Sequence, residues 1–163
     1  MPLFEHQVII QSSGLEGVPH VLPPVQGLQT MGPTLNTVVT PTSQHLESLE
    51  REGREVPLPI SGLAIIDTGA TFTAVDESIC RRLGIKPTGA IRTAHAGGSE
   101  IRACYPIRVA FPDIFFPPTT LPQAMSVDLQ FGKTPYMVLF GRDLLAKIKF
   151  VYNGPAGRFE IAF

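Results

Sequence analysis

The sequence predicts an all-β protein with one or two short helices. Only 17% of its 163 residues are charged, whereas Pro (16) and Gly (15) are abundant. Frequent Pro and Gly divide a chain into short elements, which is typical of β structure and not of a helix bundle. Runs rich in β-branched residues, such as TLNTVVT at Thr34–Thr40, indicate strands. The length favours one domain.

Composition also limits the function classes. A formal net charge of −1 and a pI of about 6.4 do not favour a nucleic-acid partner. No run approaches the ~20 apolar residues of a membrane span, and the first residues lack the basic start of a signal peptide. Cys80 and Cys104 have neither CxxC spacing nor a neighbouring His, so we expect two buried thiols and no metal. We therefore expect a soluble cytoplasmic protein with no membrane partner.

The first third of the chain contains fewer clear signals. Residues 1–33 hold one candidate strand, HQVII, and are otherwise interrupted by Pro and Gly, which predicts an arm or loop. The segment SQHLESLEREG predicts a short exposed helix or a solvated loop. In VDESICRRLG, Asp76 can cap a helix that Gly84 ends.

The second half predicts strands joined by tight turns. Residues 89–111 indicate two strands around Gly97 and Gly98, since paired glycines supply the positive φ of a hairpin. A Pro-rich connection, PDIFFPPTTLPQ, follows. The segments MSVDLQF and YMVLFG indicate strands, and RDLLAKI indicates one or two helical turns. A final hairpin is expected to turn at Asn153–Gly157.

The chemistry centres on GLAIIDTGA. Four apolar residues carry Asp67 to the end of a strand, where a lone buried carboxylate is costly unless hydrogen bonds hold it. Thr68 supplies a hydroxyl, Gly69 lets the backbone approach closely, and Ala70 completes the loop. These residues alone predict either a rigid cradle for one acid group or an ordinary polar loop.

A second motif follows about 70 residues later. In MVLFGRDLL, the apolar residues Leu139 and Phe140 precede Gly141 and Arg142, which begin a short amphipathic helix. By itself this pattern fits any turn from a strand into a helix.

Together the two motifs resemble the retroviral-type (retropepsin-like) aspartic proteases, in the manner of cellular or bacterial single-domain members. The match is Asp67-Thr68-Gly69-Ala70, preceded by LAII, and later Leu139-Phe140-Gly141 followed by RDLL. The resemblance covers about residues 34–163, which we take as the protease domain, and leaves residues 1–33 as an arm. It implies a closed-barrel-like β fold and an aspartic endopeptidase that needs no cofactor.

The resemblance also implies a flap and a structural ion pair. The flap hairpin falls at about residues 91–103, and its tip residues His95, Ala96, Gly97 and Gly98 are candidates for substrate contact. Viral members often have an acidic residue just after the Ala of the motif, but here Thr71 and Phe72 stand there. If Arg142 makes the family's ion pair, its partner must therefore be another residue.

The reaction needs two carboxyl groups that share one proton, yet the sequence holds one Asp-Thr-Gly and no second copy. The missing group is therefore predicted to be Asp67 of a second chain in a two-fold homodimer. The family's terminal strands form a joint sheet. Either Phe159, Ile161 and Phe163 lie near that interface, or their strand is internal to one subunit.

Other readings remain open. The N-terminal arm could be removed by self-cleavage, cover the cleft, or join the dimer sheet. The serines lack the G-x-S-x-G pattern of a hydrolase elbow. A member of the same fold without activity, which binds peptides or serves as a dimerisation module, is the alternative function.

Overall fold

The structure is a computed structural model that describes residues 3–7, 11–13, 19–95 and 98–163. Strands dominate it, which confirms the all-β class. The strands are β1 (Leu3–Gln7), β2 (Gln11–Ser13), β3 (Pro19–Val21), β4 (Thr34–Pro41), β5 (Ile60–Ile66), β6 (Ala74–Asp76), β7 (Gly89–His95), β8 (Gly98–Ala110), β9 (Thr119–Val127), β10 (Tyr136–Phe140), β11 (Lys149–Asn153) and β12 (Arg158–Ala162).

Four short α-helices accompany the strands in the described part of the chain: α1 (Pro24–Met31), α2 (Ser43–Arg51), α3 (Glu77–Arg82) and α4 (Arg142–Leu145). The last three lie where the sequence indicates them. Helix α1 falls inside the segment expected to be an arm or loop. Its signals are a Pro at the first position and Gly32 at φ +70° after the end, a known pairing at helix ends.

The main sheet has seven strands in the order β4-β5-β10-β6-β9-β8-β7, and β4 pairs with β8 as well as with β5. That extra pairing links the two ends of a six-strand run into a ring. Strands β5 and β10 are parallel, with Phe140 opposite Ile66. Because the polypeptide leaves both strands at the same edge, the residues after them meet there.

The core lies inside this ring of strands. Phe111, Phe140 and Phe116 pack against one another with ring centroids 5.0–6.2 Å apart. Leu28 of α1 is 1% exposed and belongs to the same core. Buried aromatic rings of this kind each remove a large apolar area from water, so they hold the end of β10 in place.

Strand β9 starts earlier than the sequence indicated. It begins at Thr119, within the segment taken as a Pro-rich connection, and ends at Val127. Its Pro122 is exposed. The residues LQF that follow are not part of a strand in the structure. Two of them, Leu129 and Phe131, donate backbone N–H bonds to buried Asp76 (2.8 and 3.3 Å).

Asp76 caps α3 as expected and also binds the segment that follows β9. Besides those two donors it accepts from the backbone N–H and the hydroxyl of Ser78. Burial raises the pKa of this carboxyl, but the four donors outweigh it, so the pKa lies below its usual value.

The chain ends in a second, three-stranded sheet with the order β1-β12-β11. The hairpin between β11 and β12 turns over residues 154–156, as expected. Phe159 and Ile161 are fully buried in the subunit's own core, and Phe163 packs on Phe116 (5.9 Å). Strand β12 is therefore internal, with both edges paired, which is the second of the two alternatives.

No helix in the described residues is long and apolar enough to cross a membrane.

Candidate active site

The candidate site forms where β5 and β10 end together. The backbone N–H of Asp67 donates to the carbonyl of Phe140 (3.1 Å), which extends the pairing of the two strands by one residue. Leu139 lies between Ile65 on one side and Ala74 on the other. A strand held on both edges gives the following loop a fixed starting point.

The loop holds the Asp67 carboxylate as the sequence predicted. The N–H of Gly69 donates to Asp67 Oδ1 (2.8 Å), and the N–H of Ala70 donates to the Asp67 carbonyl (3.2 Å). A Cβ at position 69 would lie 3.1 Å from Oδ1, a crowded distance. Asp67 is half-buried, while Thr68 and Gly69 are exposed. The carboxylate is thus fixed by the backbone and accessible.

A clamp, formed by the buried Thr73 and Gly141 and the half-buried Asp143, joins the two motifs. Asp143 Oδ1 accepts from the N–H (2.9 Å) and hydroxyl (2.7 Å) of Thr73, and Thr73 Oγ1 accepts from the N–H of Gly141 (3.1 Å). A Cβ on Gly141 would lie 2.4 Å from the carbonyl carbon of Phe72. The backbone at Gly141 therefore packs directly against the backbone at Phe72, and no side chain fits between them.

Sequence reasoning missed the roles of Thr73 and Asp143. Asp143 lacks the following Thr-Gly or Ser-Gly of a second catalytic motif, so the sequence alone assigns it no role. Its position directly after Gly141-Arg142 was the available signal, but its partner lies 70 residues earlier. A single sequence gives no sign of such a pairing.

Arg142 has a hydrogen-bond partner where the resemblance implies an ion pair. Its Nη2 donates to Thr71 Oγ1 (2.8 Å), and its backbone N–H donates to the carbonyl of Ala70 (2.9 Å). A neutral hydroxyl thus stands in the place of the viral acid. Both bonds tie the start of α4 to the loop that carries Asp67.

A cleft of about 410 Å³ opens beside the carboxylate. Its lining combines the loop with the flap strand β7 and with β9: Asp67, Gly69, Ala70, Thr71, Phe72, Ile91, Arg92, Thr93, Ala94 and Met125. Larger cavities of about 610 and 530 Å³ lie elsewhere, and Asp67 lines neither. The cleft is therefore the space in which a ligand could reach Asp67.

The flap hairpin is present, with β7 and β8 paired from Gly89–Cys104 to His95–Gly98. Gly98 has φ +129°, a conformation that favours glycine. Ala96, Gly97 and the side chain of His95 lie outside the described residues, so their predicted contact with substrate stays a prediction.

The remaining aspartates have structural partners. Each accepts a backbone N–H: Asp76 from Ser78, Asp113 from Asn36, Asp128 from Gln130 and Asp143 from Thr73. Asp67 also accepts one, but it alone lines the cleft of the described structure. One protomer thus offers a single carboxylate to that cleft.

Comparison with known proteins gave the following similarities. A family model described as aspartyl protease matches residues 53–144, which include the Asp67 loop and the clamp. A search of curated proteins found no match. Among solved structures, a retropepsin-like aspartic protease from Rickettsia conorii aligns with 14% identity and a TM-score of 0.40, over 99% of this chain and 94% of that chain.

Proposed function

Because the chain belongs to the aspartyl protease family, whose model spans more than half of it, we propose that it is a homodimeric aspartic endopeptidase that hydrolyses polypeptides. The observation that carries the proposal is the cradled, accessible carboxylate of Asp67 at the floor of an open cleft. Its catalytic partner is Asp67 of a second copy.

The chemistry follows from two carboxyl groups close enough to share one proton. Like charges about 3 Å apart do not both ionise, so one group stays protonated. The ionised carboxylate takes a proton from a water as it attacks the peptide carbonyl. The protonated one polarises that carbonyl and later helps protonate the leaving nitrogen. No metal or organic cofactor takes part.

The exposure of the Asp67 loop in one protomer supports the proposal that a second copy packs against it. Thr68 and Gly69 are exposed, and no hydrogen bond of the Thr68 hydroxyl is found among the described residues. A two-fold partner placed against this loop would cover both residues. The Thr68 hydroxyl would then brace the dyad across the interface, while the Gly69 N–H keeps each carboxylate oriented.

Substrate lies extended in the cleft beneath the flap, with its backbone parallel to strand edges. Phe72 is 46% exposed although it is large and apolar, and it lines the cleft with Ile91 and Met125. Exposure of an aromatic ring to water is unfavourable, and a ligand that buries the ring removes this cost. We therefore expect cleavage next to apolar side chains.

The test replaces Asp67 by Asn, which keeps the shape of the side chain and removes its charge. Wild type should cleave an unfolded protein, with a pepstatin-type inhibitor blocking the reaction, and Asp67→Asn should retain the fold and lose turnover. The matched control is Asp128→Asn, an exposed aspartate outside the cleft, which should cleave normally. Equal cleavage by Asp67→Asn would refute the assignment. An inert wild type at both acidic and neutral pH would favour the alternative, a peptide-binding or dimerisation module.

A further inference from the structure

We propose that Arg92, on the flap strand β7, selects substrates that carry an acidic side chain close to the cleaved bond. This inference rests on the proposed function and names the class of peptide that the cleft takes. It goes beyond the apolar preference that Phe72 indicates, because it adds a charge that the substrate supplies.

The cleft contains few charges. Of the ten residues that line it, only Asp67 and Arg92 are charged. In the proposed reaction, Asp67 and its copy in the second chain bind the water and the peptide carbonyl, so neither is available to a substrate side chain. A charged substrate side chain in the cleft therefore meets Arg92.

Arg92 is exposed and has no partner within the described part of the chain, where its side chain makes no hydrogen bond or ion pair. Glu100, on the neighbouring strand β8, lies opposite Thr93 and binds Arg102 (2.7 Å). The residue opposite Arg92 is Ile101, which is apolar and 66% exposed. A guanidinium has a planar set of N–H donors that matches a carboxylate, so Arg92 can bind one that comes from a ligand.

The cleft runs along an open strand edge. Strand β7 is the last strand of the seven-stranded sheet and, in the described residues, pairs with β8 alone. Residues 91–94 of β7 all line the cleft. Their side chains alternate, since Ile91 and Thr93 are half-buried on one face whereas Arg92 and Ala94 are exposed on the other. A cleft that is lined from both faces of a strand lies against the edge of that strand.

An extended peptide on that edge has a defined pattern of side chains. Residues directly opposite each other on paired strands have their side chains on the same face. The peptide residue opposite Arg92 is therefore the one whose side chain reaches the guanidinium, and its two neighbours in sequence lie on the face of Ile91 and Thr93. The preferred sequence is an acidic residue next to an apolar one.

The size of the cleft limits the separation between the acid and the cleaved bond. Arg92 and Asp67 line one space of about 410 Å³. A round space of that volume is about 9 Å across, which about three extended residues span. The acidic residue therefore lies within about three positions of the cleaved bond.

A second guanidinium adds positive charge to the opposite wall. Arg142 donates to Thr71 (2.8 Å), which lines the cleft on the side of the Asp67 loop. Among the residues that the structure describes, no acidic side chain pairs with Arg142. Because opposite charges attract more strongly where water is excluded, this environment favours an acidic substrate over a neutral or basic one.

The experiment starts from a synthetic library of random peptides, in which mass spectrometry identifies the bonds that the wild type cleaves. The assay is run at about pH 6, where a Glu side chain of the substrate is ionised. We expect Asp or Glu to be enriched within about three positions of the cleaved bond. The best-cleaved peptide is then made in three forms, with Glu, Gln or Lys at the acidic position.

The three peptides test Arg92 directly. For the wild type, kcat/KM should be at least about fivefold higher with the Glu peptide than with the Gln peptide, because a charge-assisted hydrogen bond is lost. Arg92→Gln should cleave these two peptides equally, and Arg92→Glu should reverse the order and favour the Lys peptide. Circular dichroism establishes that each variant is folded.

The matched control is Arg51→Glu, which changes the net charge by the same amount as Arg92→Glu. Arg51 is exposed at the end of α2 and does not line the cleft. This variant should keep the wild-type preference for the Glu peptide. A loss of preference in both variants would show an effect of net charge and overturn the assignment of Arg92.

The outcomes separate this inference from the proposed function. Cleavage without a preference for acidic residues, or a preference that Arg92→Glu retains, overturns the role of Arg92 and leaves the protease proposal intact. A wild type that cleaves no peptide contradicts the protease proposal instead.

Binding then decides on Arg92 without any turnover. Fluorescence anisotropy measures the affinity of the Asp67→Asn protein for a labelled peptide of alternating Glu and Leu residues, which offers acids on one face and apolar side chains on the other. Adding Arg92→Glu should weaken this binding at least about fivefold, and adding Arg51→Glu should leave it unchanged. An unchanged affinity after Arg92→Glu overturns the inference.

Discussion

Replacing Thr73 by Val tests whether the clamp holds the loop that carries Asp67. Thr73 is 1% exposed. Its hydroxyl donates to Asp143 and accepts from the Gly141 N–H, at 2.7 and 3.1 Å. Valine has nearly the same volume, so the change removes two hydrogen bonds and leaves packing almost unaltered.

The magnitude follows from those two bonds. A hydrogen bond to a charged group contributes about 1.5–3 kcal/mol, and a buried N–H left without an acceptor costs about 1–3 kcal/mol. Asp143 keeps its bonds from the N–H groups of Thr73 and Leu144, so we take the lower part of the sum. Thr73→Val should lower the free energy of unfolding by about 3 kcal/mol. A domain of this size has a free energy of unfolding of about 5–15 kcal/mol, so we expect the variant to remain folded.

Urea denaturation measures that loss, and steady-state kinetics measure its effect on the site. Because Asp67 remains while its loop loosens, we expect kcat to fall at least about tenfold with little change in KM. The matched control is Thr37→Val: Thr37 is also 1% exposed, but its hydroxyl donates to the neutral carbonyl of Ala110 (3.1 Å). That variant should lose about 1 kcal/mol and keep full activity. Equal losses in the two variants would refute the clamp.

Two further predictions concern packing and pH. Gly141→Ala places a methyl group 2.4 Å from the Phe72 backbone. We therefore expect urea denaturation to show a free energy of unfolding about 2–3 kcal/mol lower, and we expect most activity to be lost. A variant with unchanged stability would contradict the close approach of the two backbones. His6 stacks between Phe4 and Phe159 (5.7 and 5.5 Å), and burial lowers its pKa below 6.5 against the opposing charge of Asp113. Since the unfolded chain binds a proton near pH 6.5 that the folded chain does not, stability should fall as pH drops below 6.5. His6→Phe should reduce that fall, and an equal fall in both proteins would argue against it.

Local signals were sufficient for much of the fold. Helix α3 was predictable because Asp76 caps it and its apolar residues recur at helical spacing, and the flap hairpin because paired glycines permit its turn. The cradle of Asp67 was also local, since Gly69 lies two residues from the carboxylate whose oxygen it binds.

The features that the sequence missed or left open depend on distant residues. Thr73 and Asp143 are 70 positions apart, and Arg142 and Thr71 are 71 apart. The central position of β12 depends on β1, which pairs from the other end of the chain. Periodicity and capping describe neighbours along the chain, so they do not specify which distant segments meet.

The parallel pairing of β5 with β10 has a consequence for the order of events during synthesis. The loop around Asp67 is completed by residues up to Asp143, so a ribosome must have translated Asp143 before this geometry can form. Contacts this far apart in sequence also form slowly, because a long loop must close first. A nascent or truncated chain that ends before Asp143 therefore lacks the assembled loop.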